Sequence, residues 1–236
     1  MIYLIGLGLN PPESITKEGY DAIKEVKEVY LETYTSLLPC TKEELEKALG
    51  KKIQDAPRKQ MEQKREELLQ KDNCAILVMG DPLAATTHND LLKRAKIIHN
   101  ASIFTTIART GLSLYKLGRT ISIPFPQKGV TLTSPMQTVK ENGKAHTLCL
   151  LDINPQTKTT MTTKEALQIL QAMQGSIITK ETKIVLGASI ATKEEKIIYG
   201  TCQEVEQITL TTYPQCVVIV GDLHFKEEEI LNTFKQ

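Results

Sequence analysis

Ala75-Ile76-Leu77-Val78-Met79, followed by Gly80-Asp81-Pro82-Leu83-Ala84-Ala85-Thr86-Thr87-His88, is the stretch on which the fold turns. A short apolar run stopped by Gly-Asp-Pro reads as a buried strand ending in a tight turn, the pattern of an α/β sheet. In open sheets of that kind, ligands collect outside the carboxyl ends of the strands. The turn after Met79 exposes backbone groups and one carboxylate, Asp81. The small side chains of Ala84 and Ala85 leave room for a ligand. Asp81 suits a ligand-free turn or cap equally well, and Thr86 and Thr87 suit helix caps.

Working outward, Ile2 to Leu7 is another apolar run, ending in Gly6-Leu7-Gly8. A helical pattern starts at Thr16, with Tyr20, Ile23 and Val26 on one face. Val29 to Glu32 reads as a strand. Thr41 and Glu44 have capping-box spacing and open a helix to Leu49. Lys59 to Lys71 is highly charged and reads as an exposed helix. Thr87 and Asp90 suggest a further helix carrying Leu91, Leu92 and Ala95, before a strand at Ile97 and Ile98. Ser102 is expected to cap a helix reaching about Tyr115. Beyond a boundary near Lys116 to Gly118, Thr120 to Phe125 and His146 to Ile153 read as strands. Ser134-Pro135 reads as an N-cap and first-turn proline, and Thr162 with Glu165 as a capping box. Ile184 to Ile190, Lys196 to Thr201, Val205 to Leu210 and Cys216 to Val220 follow as successive strands, which predicts antiparallel pairing. A last helix follows His224. The expected fold is α/β with two domains: residues 1–116 with a mainly parallel sheet and residues 117–236 with a mixed sheet. A cleft between them would be the ligand site.

Composition narrows the function. The 236 residues carry a net charge of +1, so no strong global field favours nucleic acid or an anionic membrane. No apolar run approaches the roughly 18 residues of a membrane span. The opening MIYLIGLGLN lacks a basic segment and a small-residue cleavage site, and reads as a strand rather than a signal peptide. The five cysteines form no C-x-x-C pair, and they read as buried thiols of a reducing compartment. The expectation is a soluble, cytoplasmic protein. His88, His99, His146 and His224 lack metal-ligand spacing, so no metal is expected. Neither a G-x-S-x-G elbow nor a P-loop is present. Gly6-x-Gly8 lacks the third glycine of a dinucleotide fingerprint, because Pro11 stands there. Glu32 could imitate the ribose-binding acid of a nicotinamide site. A ligand-free turn, or close approach to another adenosyl ligand, also fits those glycines.

Several segments together resemble the diphthine synthases. These are YLIGLGL (Tyr3 to Leu9), LETYTSLL (Leu31 to Leu38), GDPLAATTH (Gly80 to His88), IHNASI (Ile98 to Ile103), TGLSLYKLGRTISIPF (Thr110 to Phe125) and HTLCLLDI (His146 to Ile153). They occur in the family's order across roughly residues 1 to 160. The resemblance implies the tetrapyrrole methylase fold, two α/β domains binding S-adenosylmethionine in the cleft between them. It implies methylation of a modified histidine on translation elongation factor 2 by a homodimer. The cofactor positions it implies are Leu9, Asp81, Ala84, Ser102, Ile103, Leu151, Ile190 and Gln215, with Ser189 in place of Ile190 if a gap moves by one. Ala84 stands where valine is more frequent in the family, and Gln215 where a histidine is usual. The loops at Pro126 to Thr133 and before Met161 are shortened.

Catalytic residues are left unassigned by this reading. A sulfonium methyl is already activated, so alignment and exclusion of water can supply much of the rate. His88, His146 and Asp152 are conceivable helpers. Competing readings are a tetrapyrrole methyltransferase, a cofactor-binding relative without activity, and a nicotinamide-dependent enzyme.

Overall fold

The computed structural model describes residues 1–63, 71, 73–85, 88–127, 129, 133–154, 157 and 159–236, with only the backbone at 62–63 and 88–90. The expected charged helix at 59–71 and the cap roles of Thr86 and Thr87 therefore fall wholly or largely outside the described residues.

Two compact units are present, Met1–Thr106 and Ile107–Gln236. The first is built on five strands: β1 (Ile2–Gly6), β2 (Glu28–Glu32), β3 (Ile53–Ala56), β4 (Cys74–Val78) and β5 (Ala95–Ile98). They lie in the order β3-β2-β4-β1-β5, all parallel. Every residue of β4 is buried, as a central parallel strand requires. One face carries Ile5, Leu7, Ile23, Leu45, Leu49, Leu31, Ala75 and Leu77, and the other Leu4, Tyr30, Ile76, Val78 and Leu91. The helix Lys17–Glu25 starts at Thr16, whose hydroxyl accepts from Gly19 N. It buries Gly19, Ala22 and Ile23, while Tyr20 faces out under Lys24 instead of joining the buried face. Helix Lys42–Leu49 carries the capping box of Thr41 and Glu44, as expected.

The second unit holds β6 (Ile121–Ile123), β7 (Thr147–Leu151), β10 (Lys183–Ala188), β11 (Lys196–Thr201) and β12 (Gln215–Ile219) in the order β11-β10-β12-β7-β6. A two-stranded pair, β8 (Ile153–Asn154) and β9 (Thr159–Thr160), lies outside this sheet. The sheet is mixed: β10, β11, β12 and β7 pair antiparallel, and β6 joins β7 in parallel. Its core gathers Ile123, Met136, Cys149, Leu167, Leu170, Leu186 and Val217.

Four expected elements or caps are also redrawn. Val205 to Leu210 is not a strand. Thr201 and Glu204 form a capping box that starts the short helix Cys202–Val205, and a turn follows. Residues 88–93 form a 3₁₀ turn, and Ala95 belongs to β5 rather than to a helix. The helix after Ser102 lasts only Ile103–Thr106, then tightens to a 3₁₀ turn at Ile107–Thr110. Thr105 and Thr106 hydroxyls donate to Ser102 O, which competes with helix continuation, and Gly111 stops it at φ +87°. Ser134 is the first helical residue of Ser134–Asn142 rather than its cap. Strand β3 is an addition to the elements expected from the sequence.

The division between units falls at Thr106, ahead of the boundary expected near Lys116. Residues 111–116 are fastened to the C-terminal helix Phe225–Leu231: Ser113 N donates to Glu227 Oε1 at 2.9 Å and Lys116 Nζ to Glu227 Oε2 at 2.7 Å. No helix among the described residues is long and apolar enough to cross a membrane.

Candidate functional site

In the first unit, the carboxyl ends of β1 and β4 are locked together by glycines. Gly8 N donates to Gly80 O at 3.1 Å and Gly80 N to Gly8 O at 2.9 Å. Both sit in the left-handed region, at φ +73° and +76°, where only glycine is free of strain. The pair explains the spacing of Gly6-x-Gly8 without a dinucleotide: the glycines make a strand-end clamp.

Across this clamp lies Asp81. Its Oδ1 accepts from Leu83 N at 2.9 Å, and its Oδ2 accepts from Asn100 N at 3.1 Å and pairs with His99 Nδ1 at 2.7 Å. Burial pushes the carboxyl up, but these hydrogen bonds from Leu83, His99 and Asn100 outweigh it and hold Asp81 below the usual carboxylate range. Asn100 completes the ring by donating to Gly6 O at 3.0 Å and Ser14 O at 2.9 Å. Sequence reading missed Asn100, because nothing in its spacing connects it to β1.

The expected positions of this unit gather around the clamp. A Cβ placed at Gly80 would lie 3.7 Å from both Leu9 Cδ2 and Ser102 Cβ, so Leu9, Gly80 and Ser102 converge. Ala84 N closes the turn on Asp81 O at 3.1 Å, and Ala85 beside it is left-handed at φ +55°. Ser102 is 7% exposed, and its hydroxyl has no hydrogen-bond partner among the described residues. Ile103 follows as the half-buried first residue of its helix. By contrast, the Glu32 carboxylate caps its own turn, accepting from Tyr34 N, Thr35 N and Thr35 Oγ1.

In the second unit, Leu151 ends β7 opposite Ile123 and is half-buried. Ile190 is 5% exposed and stands between two left-handed non-glycine residues, Ser189 at φ +47° and Ala191 at φ +69°. Such backbone costs of order 1–2 kcal/mol per residue, and it clusters where function over-determines the chain. The loop is tied down by Ser189 N to Pro214 O and Ser189 Oγ to Tyr213 O, both 2.9 Å. The Gln215 side chain accepts from Thr163 N at 2.9 Å and donates to Leu210 O and Thr212 O at 3.0 Å each. Its amide is saturated by the fold, so only its backbone remains for a ligand.

The conceivable helpers separate clearly. His146 is fully buried, with Nδ1 accepting from Gly221 N at 3.0 Å and Nε2 facing Glu227 Oε1 at 3.2 Å. Both nitrogens are committed, and it carries no base function. Asp152 accepts from Phe125 N at 3.1 Å and Ile153 N at 2.9 Å, the pattern of a strand-end cap. The His88 side chain lies outside the described residues. Among the described residues no cluster of three His, Cys, Asp or Glu could hold a metal ion.

The family model for Tetrapyrrole (Corrin/Porphyrin) Methylases matches residues 1–206. The chain is 36% identical to the diphthine synthase of Methanococcus aeolicus, covering 98% of this chain and 96% of that one. It is 35% identical to the diphthine methyl ester synthase of Schizosaccharomyces pombe, covering 99% and 94%. A crystal structure of diphthine synthase superposes with a TM-score of 0.90 at 30% identity, covering 99% of this chain and 95% of that one. On these grounds the chain belongs to the tetrapyrrole methylase family and, within it, to the S-adenosylmethionine-dependent methyltransferases of the diphthine synthase type.

Proposed function

We propose that this S-adenosylmethionine-dependent methyltransferase of diphthamide biosynthesis methylates the amino group on the modified histidine side chain of translation elongation factor 2. The observation that carries the reading is full-length likeness to archaeal and yeast relatives, with 98% and 99% of the chain aligned. The reading includes a cytoplasmic homodimer acting on a folded protein, without nucleic acid or membrane.

The residues of the first unit fit the cofactor. Gly8 brings the backbone to where a Cβ would meet Ser14 Oγ at 2.6 Å, Gly80 supplies a left-handed turn, Leu9 and Ile103 offer apolar surface, and the Ser102 hydroxyl has no other partner among the described residues. Leu9, Asp81, Ala84, Ser102 and Ile103 are the proposed contacts there. Asp81 acts by holding the turn as well as by charge, since its oxygens already accept two backbone N–H groups. In the second unit the proposed contacts are the apolar Leu151 and Ile190, and Gln215 through its backbone. When bound, the cofactor supplies a methyl group on a sulfonium, which needs no further activation. What the protein adds is alignment of the acceptor nitrogen and a dry setting.

The decisive experiment is transfer of labelled methyl to elongation factor 2 carrying the unmethylated modified histidine, read by mass spectrometry. A gain of three methyl masses identifies an amine trimethylase, and four an enzyme that also esterifies the carboxylate. Cofactor binding with no mass gain would overturn the acceptor. A second expectation concerns the loop at Ile190. Ala191→Gly relieves left-handed strain and raises unfolding free energy by about 1 kcal/mol, while loosening Ile190 and weakening cofactor binding. Urea unfolding and calorimetric titration read the two effects. Unchanged affinity would remove Ile190 from the site.

A further inference from the structure

His99 follows β5 directly, and its side chain is 67% exposed. One ring nitrogen, Nδ1, lies 2.7 Å from Asp81 Oδ2. An ionised carboxylate only accepts hydrogen bonds, so Nδ1 carries a proton, and in the neutral ring Nε2 presents a lone pair. That nitrogen has no partner among the described residues. Asp81 is itself fixed by Leu83 N and Asn100 N, and Asn100 by Gly6 O and Ser14 O. The imidazole is therefore oriented by the same ring of bonds that shapes the strand-end clamp. The other histidines with described side chains are engaged elsewhere. His146 is buried with both nitrogens bonded, and His224 Nδ1 accepts from Lys226 N at a helix start.

We propose that His99 is the proton acceptor of the methyl transfer, taking a proton from the acceptor ammonium through Nε2, with Asp81 as the positioning residue that fixes its tautomer. The inference rests on the amine acceptor proposed above. An ammonium has no lone pair and cannot attack carbon. Proton transfer to Nε2 gives a neutral amine and an imidazolium, whose charge the Asp81 carboxylate balances. The amine nitrogen then forms a bond to the methyl carbon as the carbon–sulfur bond breaks, and that electron pair stays on sulfur. His99 returns its proton to solvent through its exposed edge, ready for the next transfer.

The test compares wild type and His99→Gln on elongation factor 2 carrying the unmethylated side chain. General-base catalysis contributes about 10²–10⁴-fold. The expected result is a fall in kcat of about 10²-fold at neutral pH, with cofactor affinity within about twofold of wild type and a loss that shrinks as pH rises and solvent supplies free amine. Unchanged kcat, or an equal loss at every pH, overturns the proposal. ¹⁵N NMR of the free wild-type protein gives a readout independent of turnover and of any variant's folding. A proton on Nδ1 is expected, and a proton on Nε2 overturns the role. Inactivity of wild type on this substrate would sink the amine-acceptor reading and the proposal with it, whereas an active wild type with an equally active variant sinks His99 alone.

Discussion

Glu227→Ala is expected to destabilise the second unit by roughly 3–5 kcal/mol, the usual cost of removing one partner from a buried charge network. The Glu227 side chain is only 5% exposed, yet it receives four hydrogen bonds. Ser113 N reaches Oε1 at 2.9 Å, Lys116 Nζ and His224 N reach Oε2 at 2.7 and 2.8 Å, and His146 Nε2 faces Oε1 at 3.2 Å. One carboxylate thus joins the 111–116 segment, the residue before β7 and the start of the last helix. Truncation would leave two backbone N–H groups and a fully buried imidazole N–H without partners. Lys116 is one-third exposed and can turn to water, so it adds little to the loss. Urea unfolding followed by circular dichroism measures the change. A loss below about 1 kcal/mol would mean that water replaces the carboxylate and that the network is not a structural joint.

The same network gives stability a pH dependence of known sign. Burial raises Glu227, but the bonds from Lys116, His224, Ser113 and His146 outweigh it and bring its pKa from 4.5 down to about 2. Its contribution is complete above the unfolded value and is lost as pH falls from about 4.5 toward 2, an effect on the order of 3 kcal/mol. His146 is lowered by burial, against the pull of Glu227, and the Gly221 N–H on Nδ1 requires the neutral ring. Because its folded value lies below 6.5, its contribution is present above that pH and declines as pH falls beneath it. Both groups favour the fold at neutral pH and oppose it in acid. Unfolding midpoints of wild type and Glu227→Gln should converge as pH drops below about 4.5.

How much of this was legible beforehand differs between the two sheets. The parallel sheet announced itself in β4, because a strand buried on both faces is apolar at every position and its Gly-Asp-Pro stop is abrupt. Capping boxes at Thr41 and Thr162 were readable because both partners lie three residues apart. The Thr201–Glu204 box has the same spacing, but apolar residues from Val205 to Leu210 suggested a strand and hid it. β3 was invisible because only its end residues, Ile53 and Ala56, are buried. At the candidate site the resemblance names individual residues, but not the joints between them. Asn100 meets Gly6 across 94 positions and Glu227 meets Ser113 across 114, distances at which no local pattern survives. Left-handed alanines at 85 and 191 are equally silent in sequence, since alanine gives no sign of its φ.

Gly6→Ala is the second large effect, and it separates crowding from backbone strain. Gly6 has no left-handed φ, so alanine is tolerable there on backbone grounds. Space forbids it instead: the new Cβ would lie 2.6 Å from Gly80 O, 2.9 Å from Asn100 Cβ and 2.9 Å from Pro82 Cδ. None of these is the tip of a flexible side chain, so the Gly80–Pro82 turn must move away from β1. Overpacking of this kind costs about 1–3 kcal/mol, which a folded domain commonly survives. The displaced turn carries Asp81, and with it the His99 tether. Misplacement by about 1 Å can cost on the order of 10²-fold in rate, so methyl transfer should fall by that much while the variant stays folded at 25 °C. Gly80→Ala is the matched control. Its Cβ would make only ordinary contacts at 3.7–3.8 Å, but it imposes left-handed strain at φ +76°. It should lose about 1–2 kcal/mol of stability with a smaller loss of transfer, because the turn keeps its place. If Gly6→Ala retained full transfer, the closeness of β1 to the Gly-Asp-Pro turn would be a packing detail, and the candidate site would have to be sought away from this strand end.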